Sequence, residues 1–208
     1  MKNPIIFIVA GALLAFSACD KGGTDEVKIL PVHADVSVLA PSKPSSVFFQ
    51  KSAMDVTATD DVVVVDVMLR STGSQTYDDL ALDVIFDPGL VQISRIDWAA
   101  TPLGDCTLGG SGTCDPICLN NVSPASATPA NTSGDLVIAV ASKSGCPSAT
   151  ASSATRLMSL WFFAATVGTS DISLQDNGAG DCGILSGGSA VVPAIPCDSV
   201  VAMVTAAR

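Results

Sequence analysis

The chain has 208 residues, 48 % of them hydrophobic and only 14 % charged, which excludes an acidic disordered tail. Ten Lys and Arg against 20 Asp and Glu give a net charge of −10, the wrong sign for nucleic acid or for a polybasic membrane surface. His33 and Glu26 are the only residues of their kinds, so there is almost nothing from which to build a hydrolytic or metal site on His and Glu.

The N-terminus, MKNPIIFIVAGALLAFSAC, has one Lys, an uncharged run from Pro4 to Leu14 and small residues before Cys19. The run is shorter than the ~20 residues of a membrane-spanning helix. Its charged start and small-residue end predict a secretory leader. Phe16-Ser17-Ala18-Cys19 resembles the bacterial lipobox, with Phe where Leu is commoner. The resemblance implies a leader over 1–18 that is cleaved and a Cys19 thiol that is acylated. Each methylene of an acyl chain buried in the membrane contributes ~0.8 kcal/mol. The expected location is the cell envelope, lipid-anchored and extracytoplasmic, with the outer membrane or cell surface preferred over the inner membrane.

Residues 19–34 are polar and glycine-bearing and read as a lipidated tether, with His33 solvated in it. A domain is expected over 35–208. After the break PSKPSS at 41–46, short runs rich in Val, Ile and Thr alternate with turn residues. They are VVVVDVMLR (62–70), LALDVIF (80–86), LVQIS (90–94), DLVIAVAS (135–142), RLMSLWFFAAT (156–166), DISL (171–174) and SVVAMVTA (199–206). Over 79–86 the period is two: Leu80, Leu82, Val84 and Phe86 on one side, Asp79, Ala81, Asp83 and Ile85 on the other. Asp87-Pro88-Gly89 then breaks the strand. LMSLWFF is apolar on both faces and reads as a central, doubly covered strand or the seat of an interface, with Trp161 in the core. Many short strands and no helical periodicity predict an all-β sandwich.

The stretch VVVVDVMLRSTGSQTYDDLALDVIFDPGLVQISRID resembles the opening of cohesin modules, with Phe86-Asp87-Pro88 at the place of their Tyr-Asp-Pro. GDLVIAVAS and RLMSLWFFAATVGTSDISLQD resemble later cohesin strands, so the likeness spans roughly 60–176. It implies a jelly-roll β-sandwich of about nine strands, and binding rather than catalysis. Cohesins bind dockerins, small calcium-loaded helical modules, through one flat face that often carries an Asn and an Asp before the Tyr-Asp-Pro strand end. Those two positions fall on Asp79 and Ala81, one polar group changed and one lost. Asp79, Ala81 and Asp83 are therefore the expected partner-binding face.

With Cys19 set aside, six cysteines remain: Cys106, Cys114, Cys118, Cys146, Cys182 and Cys197. An even set in an exported chain reads as three disulfides. Cys182–Cys197 is one expected pair, and Cys106–Cys114 with Cys118–Cys146 is the preferred arrangement of the rest. A metal site at Cys114 and Cys118 is the weaker alternative, because no His is near. Asp176, Asn177 and Asp181 could wrap a calcium ion, although an Asn-Gly turn between strands is the favoured reading. Otherwise no metal or cofactor is expected. Scattered Asp residues give no pair held across a cleft for glycoside hydrolysis. Tyr77 and Trp98 flank strand ends and are the candidates for an exposed sugar platform. The expected function is a membrane-anchored, non-enzymatic module that binds a protein partner, dockerin-like or another envelope protein; the alternative is a carbohydrate-binding module acting on an envelope polysaccharide.

Overall fold

Branched side chains pack well on a pleated surface and resist helix, and in the computed structural model of the chain those runs form two antiparallel sheets. The structure describes residues 32–54, 61–98, 117–120, 122, 129–142, 146, 149–151, 153–175, 182–186, 189–190, 195–198 and 201–208. In chain order the elements are β1 (His33–Val38), β2 (Ser46–Lys51), β3 (Val62–Arg70), β4 (Gln75–Tyr77), β5 (Asp79–Ile85), β6 (Val91–Trp98) and β7 (Ile117–Asn120). They continue with α1 (Pro129–Ser133), β8 (Asp135–Ala141), β9 (Ala149–Ala151), β10 (Thr155–Ala164), β11 (Gly168–Leu174), β12 (Gly183–Ser186), β13 (Ser189–Ala190) and β14 (Ala202–Ala207). The first strand begins at His33, two residues ahead of the expected domain start, so His33 belongs to a strand.

One sheet runs β2-β3-β10-β6. The larger runs β1-β14-β11-β5, with β8 and then β7 on the other edge of β5. Two strands share one edge of β5: β11 pairs at Val84 and Ile85, and β12 at Asp79 to Ala81. A short ribbon, β4-β9, stands apart from both sheets.

The core lies between the sheets. Leu80, Leu82, Val84 and Phe86 are buried as the alternation predicts, facing Val63, Val65, Val67, Leu160 and Phe162 of the smaller sheet. Phe86 meets Phe162 edge to face, ring centroids 5.4 Å apart, a favoured aromatic geometry. β10 is central, between β3 and β6. Its register shifts between Arg156 and Met158, and beyond that shift Met158, Leu160 and Phe162 point inward. Trp161 therefore lies on the outer face, half-buried, which corrects the expectation that it is core.

Residues 195–198 tie the two sheets together. Ile184 N donates to Ile195 O, on the side of the larger sheet. Val47 N donates to Pro196 O and Asp198 N donates to Val47 O, on β2 of the smaller. Gly183 permits the crossing: its φ is 137°, and a Cβ there would lie 2.6 Å from Ile195 O. Cys182, at the start of β12, is joined to Cys197 by a disulfide with Cα atoms 5.5 Å apart. The bridge thus staples one sheet to the other.

Asp198 locks the place where the chain passes from β1 to β2. Its carboxylate accepts Ser42 N at 2.7 Å, Lys43 N at 2.8 Å and Ser42 Oγ at 2.9 Å, while Lys43 Nζ donates to Cys197 O at 3.0 Å. Burial pushes this carboxyl's pKa up, but the hydrogen bonds from Lys43 and Ser42 outweigh it and hold the pKa below the ordinary 3.8. The folded value is the lower one, so the stabilisation is complete above the unfolded pKa and is lost as pH falls through the folded one. Acid titration of the melting temperature is expected to fall below about pH 4. Asp198→Asn should melt lower at neutral pH and show a shallower acid limb; an unchanged limb would assign acid unfolding to other carboxylates.

Candidate functional site: the outer face of the larger sheet

β5 and β8 pair with Asp79 opposite Ala141, Ala81 opposite Ala139, Asp83 opposite Val137 and Ile85 opposite Asp135. Side chains alternate along a strand. Burial of Leu80, Leu82, Val84, Leu136, Ile138 and Val140 therefore sends these eight to the outer face. β7 adds Leu119 beside Ala139, and β12 adds Gly183 beside Ala81. Across four strands one row reads Leu119, Ala139, Ala81, Gly183. Its centre is flat because Ala139 and Ala81 carry only a methyl group, while Gly183 at its end is buried against Ile195 and Pro196.

Leu119 and Val137 stand out from that floor, 65 % and 47 % exposed. Asp79, Asp83 and Asp135 flank it, and no strand of the larger sheet contains Lys or Arg. Small-molecule sites are concave. A flat apolar floor with projecting aliphatic side chains and an acidic border suits a protein surface instead. Asp79, Ala81 and Asp83 thus share one face, on the side the alternation assigns. The partners that complete it, Leu119, Val137, Ala139 and Ala141, were legible in part: Asp135, Val137, Ala139 and Ala141 alternate with the buried set in DLVIAVA.

The other candidates are distributed differently. Cys19, Cys106, Cys114, Asp176, Asn177 and Asp181 lie outside the described residues. Cys118 and Cys146 are each disulfide-bonded; the expected pairing among Cys106, Cys114, Cys118 and Cys146 depends on residues outside the described ones. Among the described residues, no group of three His, Cys, Asp or Glu could hold a metal ion.

The sugar platform expected at Tyr77 and Trp98 does not form. Tyr77 is fully buried, since β4 pairs with β9 and turns the ring into the core, and burial pushes its phenol pKa up to about 12. Trp98 is half-buried and packs against the core. It also lines a cavity of about 200 Å³ with Ser94, Arg95, Ile96, Asn120 and Val122, between β6 and the end of β7. On the opposite outer face, the Trp161 ring is covered by the Arg95 guanidinium at 3.8 Å, so its π-face is occupied.

No family model matches the chain, and no curated protein matches it. Solved structures do. A cohesin of ScaC in complex with a ScaB dockerin, from Acetivibrio cellulolyticus, is 15 % identical with a TM-score of 0.47, covering 66 % of this chain and 84 % of that one. The OlpA cohesin–dockerin complex from Clostridium thermocellum is 9 % identical with a TM-score of 0.46, covering 81 % and 95 %. A cohesin from Clostridium acetobutylicum is 16 % identical with a TM-score of 0.42, covering 76 % and 81 %. At these identities no residue role passes from them to this chain. The assignment as an all-β, two-sheet sandwich stands on its own strand pairing, and cohesin modules are what it is similar to.

Proposed function

We propose that the domain is a non-enzymatic binding module whose β7-β8-β5-β12 face takes up a protein partner at the cell envelope. The observation that carries this is the flat row of Leu119, Ala139 and Ala81, bordered by Val137 and by Asp79, Asp83 and Asp135. Projecting aliphatic side chains supply apolar area, and the acids select a partner with basic groups at its rim. A dockerin-like helical module is the partner class suggested by the sequence resemblance. Anchoring through an acylated Cys19 would hold the partner at the membrane, and labelling by a palmitate analogue should vanish in Cys19→Ser.

The test is retention of a specific protein from envelope extract, or of a calcium-loaded dockerin, on the immobilised domain. Ala139→Arg should abolish that retention, since a long charged side chain would stand in the middle of the floor. Saturable retention on a glycan array, with no specific protein recovered, would replace this reading with the carbohydrate-binding one.

A further inference from the structure

Among the described residues, β6 and β7 are edge strands of the two sheets, and the seam between them is closed at one end only. At the closed end lies α1. Its Ala130 is fully buried, and the Asn131 side chain accepts Ile93 N at 2.7 Å and donates to Ile93 O at 2.9 Å. Asn131 thus takes the place of a neighbouring strand on the edge of β6. Immediately beyond Ile93 the seam opens into the cavity of about 200 Å³ lined by Ser94, Arg95, Ile96, Trp98, Asn120 and Val122.

The polar groups of this cavity are few. Val122 N donates to Asn120 Oδ1 at 3.0 Å, which leaves the Asn120 NH2 group to donate. Ser94 Oγ gives its proton to Trp161 O at 3.0 Å and retains only lone pairs. The Trp98 indole N–H can only donate, and it has no hydrogen-bond partner among the described residues. Arg95 is already paired with Asp97 at 3.2 Å and lies over the Trp161 ring. Ile96 and Val122, half-buried against the core, form an apolar wall.

This set of groups selects a ligand. The Asn120 and Trp98 donors match a carbonyl oxygen, the Ser94 acceptor matches an N–H, and the apolar wall matches a small alkyl group. An acetamido group presents all three in one plane. The ligand is neutral, because the one charged side chain lining the cavity is paired and the chain's net charge of −10 repels anions. It is also compact: about 200 Å³ is less than the ~300 Å³ at which pockets for drug-sized molecules begin. Asn131 on Ile93 stops an extended peptide from continuing along β6. We propose that the cavity binds the acetamido group of an N-acetylated amino sugar, with the ring at the mouth, where Ser94, Arg95 and Asn120 are exposed. The site is separate from the protein-binding floor. Asn120 pairs with Ile138, whose side chain is buried, whereas Leu119 pairs with Ala139 on the outer face.

Titration of the nitrogen-labelled full chain with N-acetylglucosamine tests the proposal. The two tryptophans give two indole N–H signals, and Trp98→Phe identifies the one that belongs to Trp98. That signal should move along a saturable curve with a Kd of about 1 mM or tighter. The signal of Trp161, whose indole N–H is buried, should stay in place. Asn120→Asp keeps the side-chain shape but exchanges the donor for an acceptor, and it should weaken binding about tenfold. Glucose, which lacks the acetamido group, and N-acetylalanine methylamide, which lacks the ring, should not saturate. No saturable shift with N-acetylglucosamine, full affinity in Asn120→Asp, or equal binding of glucose would overturn the proposal. Tighter binding of the alanine derivative would overturn it too, and would make the cavity a peptide site.

Discussion

Phe162→Ala is expected to destabilise the domain by about 3–5 kcal/mol, the range for emptying a buried aromatic site. Phe162 is fully buried on β10 and meets Phe86 of the facing sheet at 5.4 Å. Its removal therefore opens a cavity at the seam between the sheets, where neither sheet can relax without moving the other. Urea unfolding should show a lower midpoint with an unchanged slope. A loss below about 1 kcal/mol would mean that the seam collapses freely, contrary to interior packing density. Phe163→Ala is the control, one residue on and half-buried on the outer face; its loss should be clearly smaller.

Replacing both Cys182 and Cys197 with Ser is expected to cost about 3 kcal/mol on the loop-entropy estimate for a closure of this length, the sequence separation being 15. Both sulfurs are buried, so polar replacements add to that loss. The bridge also fixes residues 195–198 against β2, where Asp198 receives Ser42 and Lys43. The double variant should consequently lose part of the acid-dependent stability attributed to Asp198. Comparing it with the parent under oxidising conditions avoids reducing the remaining cysteines. Equal melting temperatures would show that the hydrogen bonds of 195–198 suffice without the staple.

Local pattern carried the strands well where one face was apolar and the other was not. The alternation around Leu80 to Phe86 placed Asp79, Ala81 and Asp83 on one face, where the structure has them. Trp161 was misplaced because LMSLWFF is apolar on both faces, so period two cannot choose a side, and the register shift near Arg156 reverses the phase. Tyr77 was misplaced for a different reason: its partner strand lies far along the chain, at Ala149–Ala151. The role of Asp198 was equally hidden, since its donors are 155 and 156 residues away and nothing local marks them. The one helix among the described residues, Pro129–Ser133, was not anticipated, because five residues are too few to show a helical period. Pro129 opens it and Gly134 follows it with φ 74°, close enough to Phe86 O that a Cβ would sit 2.4 Å from it.

The candidate face was half visible in the same way. Asp79, Asp83 and Ala81 followed from one strand, but Asp135 and the rest of the floor come from neighbours on β7 and β8, and register across strands is set by tertiary packing.

The most direct test of the proposed binding face is the affinity of Ala81→Arg with Ala139→Arg for the protein retained by the parent domain. Melting should be little changed, because both positions lie on the outer face and face away from the core. Affinity should fall about a hundredfold or more, the equivalent of about 2.7 kcal/mol. Undiminished binding by a folded double variant would contradict the account and move the interface off the β7-β8-β5-β12 face.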